Sequence, residues 1–405
     1  AALKRGQLLE LDFQYDNLVM EEAAQVLEIE TFVPLVLQAP DPATGRSRLQ
    51  RAVLIGDHHQ LPPVVKNSAF QKYSRLDQSL FARFVRLGVP TIELNLQGRA
   101  RSSLADLYRW RYTSLGDLPH VRTDERFSRA NAGFAHAAQL VHVRPYRGQG
   151  EQTPVKHFFQ NLGEAEFVVA TFMYMRLLGS PAESVSILTP YNGQRALIAD
   201  VVAHRCAPYA EFGTPAKIAT TDKYQGQQND FILLSLVRTK HVGHIRDVRR
   251  LVVSLSRARL GTIVFCDRAL YAPCEELKPA LSQLTAGAPD KLQLLPHERY
   301  PTERLASDKP PPPLDVVDVE HMMALVAEMA FTFRQQAAEA AAAMQYGGQG
   351  AAAEVMMAVN GEGNAETTEQ PGANDDDADD TPARQPKRLR ADDDAGQAEH
   401  GTESR

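Results

Sequence analysis

Cysteine is scarce, and its three positions, Cys206, Cys266 and Cys274, are odd in number with no Cys-x-x-Cys spacing. That excludes a disulfide framework, suggests no structural zinc site and points to a reducing compartment. Tryptophan occurs once, as Trp110, and at the end of a helix it reads as packing rather than as a base-stacking platform. No run of about 18 apolar residues exists and no charged-then-apolar leader opens the chain, so neither a membrane span nor a signal peptide is expected. No Gly-x-x-x-x-Gly-Lys-Ser/Thr string occurs either, so these residues hold no phosphate-cradling loop. The opening Ala1-Ala2-Leu3-Lys4-Arg5 reads like the middle of a domain, and a fragment is expected.

What is present suits two globular units with an addition. The 405 residues are 43% hydrophobic, enough for a sizeable core. The net charge of -6 divides unevenly: residues 1–305 hold 37 Lys+Arg against 30 Asp+Glu (+7), and residues 306–405 hold 7 against 20 (-13). A mildly basic body with an acidic tail suits a polyanion binder. From Gly347 onward the Ala, Gly, Glu, Asp, Thr and Gln composition predicts a disordered acidic tail over 347–405. Within it Pro386-Lys387-Arg388-Leu389-Arg390 has the form of a nuclear localisation signal.

The densest string is Val53-Leu54-Ile55-Gly56-Asp57-His58-His59-Gln60-Leu61-Pro62-Pro63. It predicts a short buried strand with Asp57 and Gln60 at its carboxyl end, where ligands lie in open α/β sheets. Upstream, a strand over Phe13–Met20 runs into Glu21-Glu22-Ala23-Ala24-Gln25 and then a helix over Val26–Leu37. Paired acids after an apolar strand can hold a magnesium ion and orient an attacking water; acids opening a helix also merely favour its dipole. A strand over Thr91–Leu96 leads to Gln97-Gly98-Arg99-Ala100-Arg101 and a helix over Ser102–Tyr112. By itself Arg99 reads as a surface cation. Beyond a strand at Gln139–Val143, a helix over Gly163–Leu178, capped by Asn161, carries Phe167, Val168, Phe172 and Met175 at core spacing.

Three strings follow in the second half. The strand Ser184–Thr189 ends in Pro190-Tyr191-Asn192-Gly193-Gln194 and a helix to about His204; an exposed aromatic before a helix start can hold a base and a phosphate, or simply pack on the turn. Ala219–Val237 reads as two strands around a loop in which Gly226 allows close backbone approach and Gln225 and Gln228 can contact ribose, base or phosphate. Arg249-Arg250-Leu251-Val252-Val253-Ser254-Leu255-Ser256-Arg257-Ala258-Arg259 places cations at a helix end before the strand Gly261–Cys266. Arginines so held can offset charge on a transferring phosphoryl group, or form a solvated basic face. Last, Pro310–Pro313 is a stiff spacer, and Leu314–Tyr346 reads as a helix with Met322, Leu325, Val326, Met329 and Phe333 on one face, free to dock on the body or on a partner.

In this order the strings resemble Walker B and motifs III to VI of the Upf1-like superfamily 1 helicases. The resemblance implies an α/β fold of two RecA-like domains, the first truncated: residues 1–95 as the back of domain one, 96–290 as domain two, 291–346 as linker and helix, and 347–405 as tail. It further implies an ATP-dependent RNA helicase using ATP and Mg²⁺, with Glu22 activating water, Glu21 holding the metal, and Gln60, Arg99 and Arg257 reading the γ-phosphate. Asp57, Tyr191, Gly226, Gln228 and Arg259 would serve the nucleotide. Thr189, Tyr191, Asn192, Thr220, Thr221 and Gln225 would touch RNA. Glu21, where the family usually has Asp, and Gly98, where it usually has an aromatic, depart from the pattern. Both are features of its intron-binding spliceosomal branch, which Met20–Gln25, Gln97–Arg101, Asn161–Phe167, Tyr191–Gln194 and Val242–Arg250 resemble. That branch implies a nuclear protein with single-stranded intron or pre-mRNA and spliceosomal proteins as partners. Without the phosphate loop the fragment alone should not hydrolyse ATP. A helicase-derived scaffold without turnover, and a DNA or RNA helicase outside splicing, remain alternatives.

Overall fold

The computed structural model describes residues 5–38, 40–286 and 290–346; the acidic tail with its Pro386–Arg390 cluster lies outside them. Near-continuous apolar runs supply the middle of a parallel five-stranded sheet. Its order is Ala138–His142, Ala258–Cys266, Asn229–Ser235, Val185–Thr189, Lys217–Thr220. A strand covered on both faces needs no polar alternation. Phe231 and Leu233 enter one apolar cluster and Ile232 and Leu234 the other, as a two-residue repeat requires. The first cluster is closed by helices Leu162–Leu177, Asn192–Arg205 and Val319–Tyr346, the second by Ser102–Arg109, Val248–Leu255 and Lys278–Ala286. The result is a RecA-like α/β layering, and its topological switch lies between the neighbouring strands Val185–Thr189 and Asn229–Ser235. Asn161 caps its helix as expected, its side chain accepting from Glu164 N at 3.2 Å.

The first 95 residues are built more thinly. The expected strands shorten to Asn17–Met20 and Arg51–Leu54, which pair in parallel as a sheet of only two strands. The expected burial does not follow: Val19, Val53 and Ile55 are 62%, 50% and 46% exposed, because no further layer among the described residues covers that face. The predicted strand at Thr91–Leu96 reduces to the pair Leu96–Gln97 against Gly116–Asp117, and Ile92 and Leu94 stand out in solvent. Trp110 is half-buried against the second cluster and donates to Leu107 O at 2.9 Å, a packing role.

Residues 291–346, read as linker and helix, are instead integral to the body. Leu292–Leu294 pairs antiparallel with Leu314–Val316. Arg304 bonds Glu298 and the carbonyl of Phe134. The helix begins at Val319, and its Met322, Val326 and Ala330 are buried in the first cluster. Among the described residues no helix is long and apolar enough to cross a membrane.

Candidate functional site

The acidic pair is placed by small residues. Ala23 N donates to Ile55 O at 2.8 Å, and a Cβ on Gly56 would come within 2.8 Å of Ala24 N. Only glycine lets these two strand ends approach. The chain turns sharply through Glu22, which sits in the left-handed region at φ 50, a conformation uncommon for a side-chain-bearing residue. Glu21 and Glu22 both end exposed at the carboxyl end of the two-stranded sheet, with Gln25 donating to the Glu22 carboxylate. Alongside, Asp57 accepts from His59 N at 2.9 Å on one oxygen and from Gln60 Nε2 at 2.7 Å on the other. Gln60 therefore turns its amide oxygen outward.

That oxygen meets Arg257. The Arg257 guanidinium, 2% exposed, donates to Gln60 Oε1 at 3.3 Å, to Ser256 Oγ at 2.8 Å and to Val253 O at 2.9 Å. Arg99 lies beside it, donating to Ser256 O at 3.0 Å and to Gln228 Oε1 at 2.6 Å. Burial lowers the affinity of both guanidinium groups for their protons. For Arg257, burial and the neighbouring Arg99 bring the pKa down to about 10. Glu22 opposes this shift at both arginines, so all four expected catalytic residues, Glu22, Gln60, Arg99 and Arg257, share one electrostatic neighbourhood. Among the described residues neither arginine forms a salt bridge, an arrangement that suits a ligand of high negative charge.

The loop carrying Arg99 is held by Gln97, whose Oε1 accepts from the backbone N–H groups of Arg99 and Ala100 while its Nε2 donates to Asp117. Gly98 has a steric reason: a Cβ there would lie 2.7 Å from the His120 ring and 2.8 Å from Leu118. The aromatic usual in the family has no room. Arg259 pairs with Asp230 at 3.3 Å instead of facing Arg257's acceptors. Gly226 sits at φ 77, in the left-handed region that favours glycine, and nothing lies within 4 Å of its Cβ direction.

The residues expected to touch RNA lie elsewhere. Thr189 and Thr220 close the carboxyl ends of their strands, whereas Gln228 and Arg257 precede the amino ends of theirs, so the two groups are separated by the length of a strand. Tyr191 is not the exposed aromatic that was expected: it is 3% exposed, stacked on His244 at 4.4 Å and edge-on to Phe159 at 5.3 Å. The loop through Gly243 lies against its hydroxyl. Thr189, Thr220 and Thr221 are likewise buried, Thr221 bonding Ser254 at 3.0 Å, because the sheet and its helices close around them. Asn192 is exposed and Gln225 half-buried. Of this set, only Asn192 is exposed; the Gln225 amide nitrogen is buried without a hydrogen-bond partner among the described residues.

Three contributors escape sequence reasoning. Tyr112 donates to Asp57 at 2.7 Å. Arg238 lies 4.0 Å over the Phe159 ring and pairs with buried Glu151 at 2.9 Å. Glu164 is fully buried and bonds Ser235 and Val237 N. None belongs to a string whose spacing signals chemistry. As for a metal, no cluster of three or more His, Cys, Asp or Glu occurs among the described residues. Two exposed carboxylates with hard oxygen donors nevertheless fit Mg²⁺, which takes one or two protein carboxylates and completes its shell with phosphate and water.

Two family models, each described as an AAA domain, match residues 1–68 and 76–269. RNA helicase aquarius of Mus musculus is 59% identical over 317 residues, covering 78% of this chain and 21% of that protein. Pre-mRNA-splicing factor cwf11 of Schizosaccharomyces pombe is 30% identical over 303 residues, 73% of this chain and 22% of its own length. ATP-dependent helicase upf1 of the same yeast is 33% identical over 269 residues, 64% and 27% respectively. The chain thus spans about a fifth to a quarter of the curated relatives it matches. These matches place the chain in the Upf1-like family of superfamily 1 helicases.

Proposed function

We propose that this chain forms part of the motor of an ATP-dependent RNA helicase that acts in the nucleus on intron-containing RNA, among splicing proteins. Residues 1–95 belong to the first RecA-like domain and 96–290 to the second, with the triphosphate between them. The observation that carries the reading is the bond from Arg257 to Gln60 between residues 197 apart. It sets an arginine finger against a γ-phosphate sensor with Arg99 and Glu22 alongside. In this arrangement Glu22 accepts the proton of the attacking water, and Arg99 and Arg257 stabilise negative charge on the phosphoryl oxygens. Glu21 is the residue that would hold Mg²⁺, whose charge, when bound, offsets that of the phosphates. Turnover is assigned to the longer protein, since these 405 residues contain no phosphate-cradling loop. RNA runs along the opposite end of the second sheet near Asn192, and stacks on Tyr191 only once the loop bearing His244 moves aside.

The test uses the longer protein. Glu22→Gln and Arg257→Ala should each lower RNA-stimulated ATPase by roughly 10³-fold with RNA binding kept. Undiminished turnover in either would reject the site. A wild type that binds RNA without turnover would favour the scaffold reading. Equal or greater stimulation by single-stranded DNA would count against the splicing assignment, the 2′-hydroxyl being the handle that separates the two.

A further inference from the structure

One contact at the candidate site has no counterpart in the motifs. Tyr112 stands three residues beyond the helix Ser102–Arg109, on the side of the five-stranded sheet. Its hydroxyl donates to Asp57 Oδ2 at 2.7 Å, and Asp57 follows the two-stranded sheet. The same oxygen accepts Gln60 Nε2 at 2.7 Å, and Asp57 Oδ1 accepts His59 N at 2.9 Å. Asp57 is thus supplied with three donors by the protein itself. Gln60 has its amide nitrogen committed to Asp57, which fixes the amide plane and leaves the oxygen for Arg257 at 3.3 Å. The His59 ring packs edge-on to Tyr112 at 5.0 Å, so the phenol is held from two sides.

The helix that ends before Tyr112 begins at Ser102, three residues after Arg99. A movement that advances Arg99 toward a phosphate therefore carries Tyr112 with it, and Tyr112 grips the residue that orients Gln60. We propose that Tyr112 is a positioning residue for the hydrolysis reaction, fixing the Asp57–Gln60 pair across the seam so that Gln60 presents its oxygen to Arg257 only when the two sheets are closed. The proposal rests on the function proposed above.

Tyr112→Phe in the longer protein keeps the ring against His59 and removes only the donor. A hydrogen bond to a charged group contributes enough that RNA-stimulated kcat should fall about tenfold. KM for ATP, Kd for single-stranded RNA and the melting temperature should stay unchanged. Asp57→Asn should lower kcat too, and the double variant should be no slower than Asp57→Asn alone, as expected of two groups acting through one bond. Wild-type kcat in Tyr112→Phe, or losses that multiply in the double variant, would overturn the proposal. So would parallel loss of kcat and melting temperature without coupling to Asp57. Arg257→Ala run beside them separates the readings: a dead Arg257→Ala with a normal Tyr112→Phe removes Tyr112 alone, whereas an active Arg257→Ala removes the site and this proposal together.

Discussion

Glu164 shows how much a buried carboxyl can organise. Its Oε2 accepts from Ser235 Oγ at 2.6 Å and Val237 N at 2.8 Å, and its other oxygen accepts from Asn161 Nδ2 at 3.3 Å. Val237 has φ 77, and Arg238 N returns to Leu236 O at 2.9 Å, which makes a γ-turn of the rare strained type. A β-branched residue in that turn persists because its N–H is held by Glu164 and the following residues by Glu151, which accepts from Arg238, Thr239 N and Lys240 N. The turn in turn sets Arg238 over Phe159, beside Tyr191. Burial, against the bonds from Ser235 and Val237, raises the Glu164 pKa to about 8. A carboxyl raised in the folded state keeps its proton while the unfolded chain has lost it, so its contribution is complete at acidic pH and is lost as pH rises toward 8. Glu164→Gln copies the protonated form. Its melting temperature should match wild type near pH 4, below the carboxyl's ordinary value, and exceed it near pH 8.5. Melting curves that stay parallel across that range would show that Glu164 does not titrate in the folded protein.

The long helix Val319–Tyr346 settles a choice that its own pattern left open. Its apolar face packs against the helix Leu162–Leu177, with Met322 fully buried and Val326 nearly so. Met322→Ala should cost about 2–4 kcal/mol of unfolding free energy, measured by urea denaturation. A loss under about 0.5 kcal/mol, the range of ordinary surface changes, would mean that this face is not core. The docked helix was legible as amphipathic but not as docked, since periodicity gives a face and not its neighbour. Strands Val185–Thr189, Asn229–Ser235 and Ala258–Cys266 were legible within a few residues because burial on both faces writes a continuous apolar run. Thr91–Leu96 instead alternates polar and apolar residues, the pattern of a half-covered strand, and forms almost no strand because it finds only Gly116–Asp117 as a partner. The motif strings likewise singled out Gln60 and Arg257, which share a bond, with Arg99 beside them and Glu22 in the same electrostatic neighbourhood, but not that Tyr191 would be covered. The residue stacked on it, His244, is 53 positions away in sequence.

The two halves of the body are held by different means. Around the five-stranded sheet both faces are closed by apolar clusters, so its amides should open only with global unfolding. In the first 95 residues the paired strands leave Val19 and Val53 exposed, and the bonds noted across the seam, Tyr112 to Asp57 and Arg257 to Gln60, are polar. A cavity of about 210 Å³ also remains there, lined by Ala24, His58, Leu61, Ser79 and Arg249. Net of desolvation, polar bonds contribute little to stability compared with an apolar core, which is what a seam that closes on a ligand requires and what a rigid core cannot offer. Hydrogen exchange followed by mass spectrometry should therefore divide the chain. Peptides covering 185–189, 229–235 and 258–266 should be the slowest, and those covering 17–20 and 51–54 faster by at least about two orders of magnitude. Equal protection in both halves would mean that they unfold as one cooperative block, and a seam held that firmly could not open and close around a nucleotide.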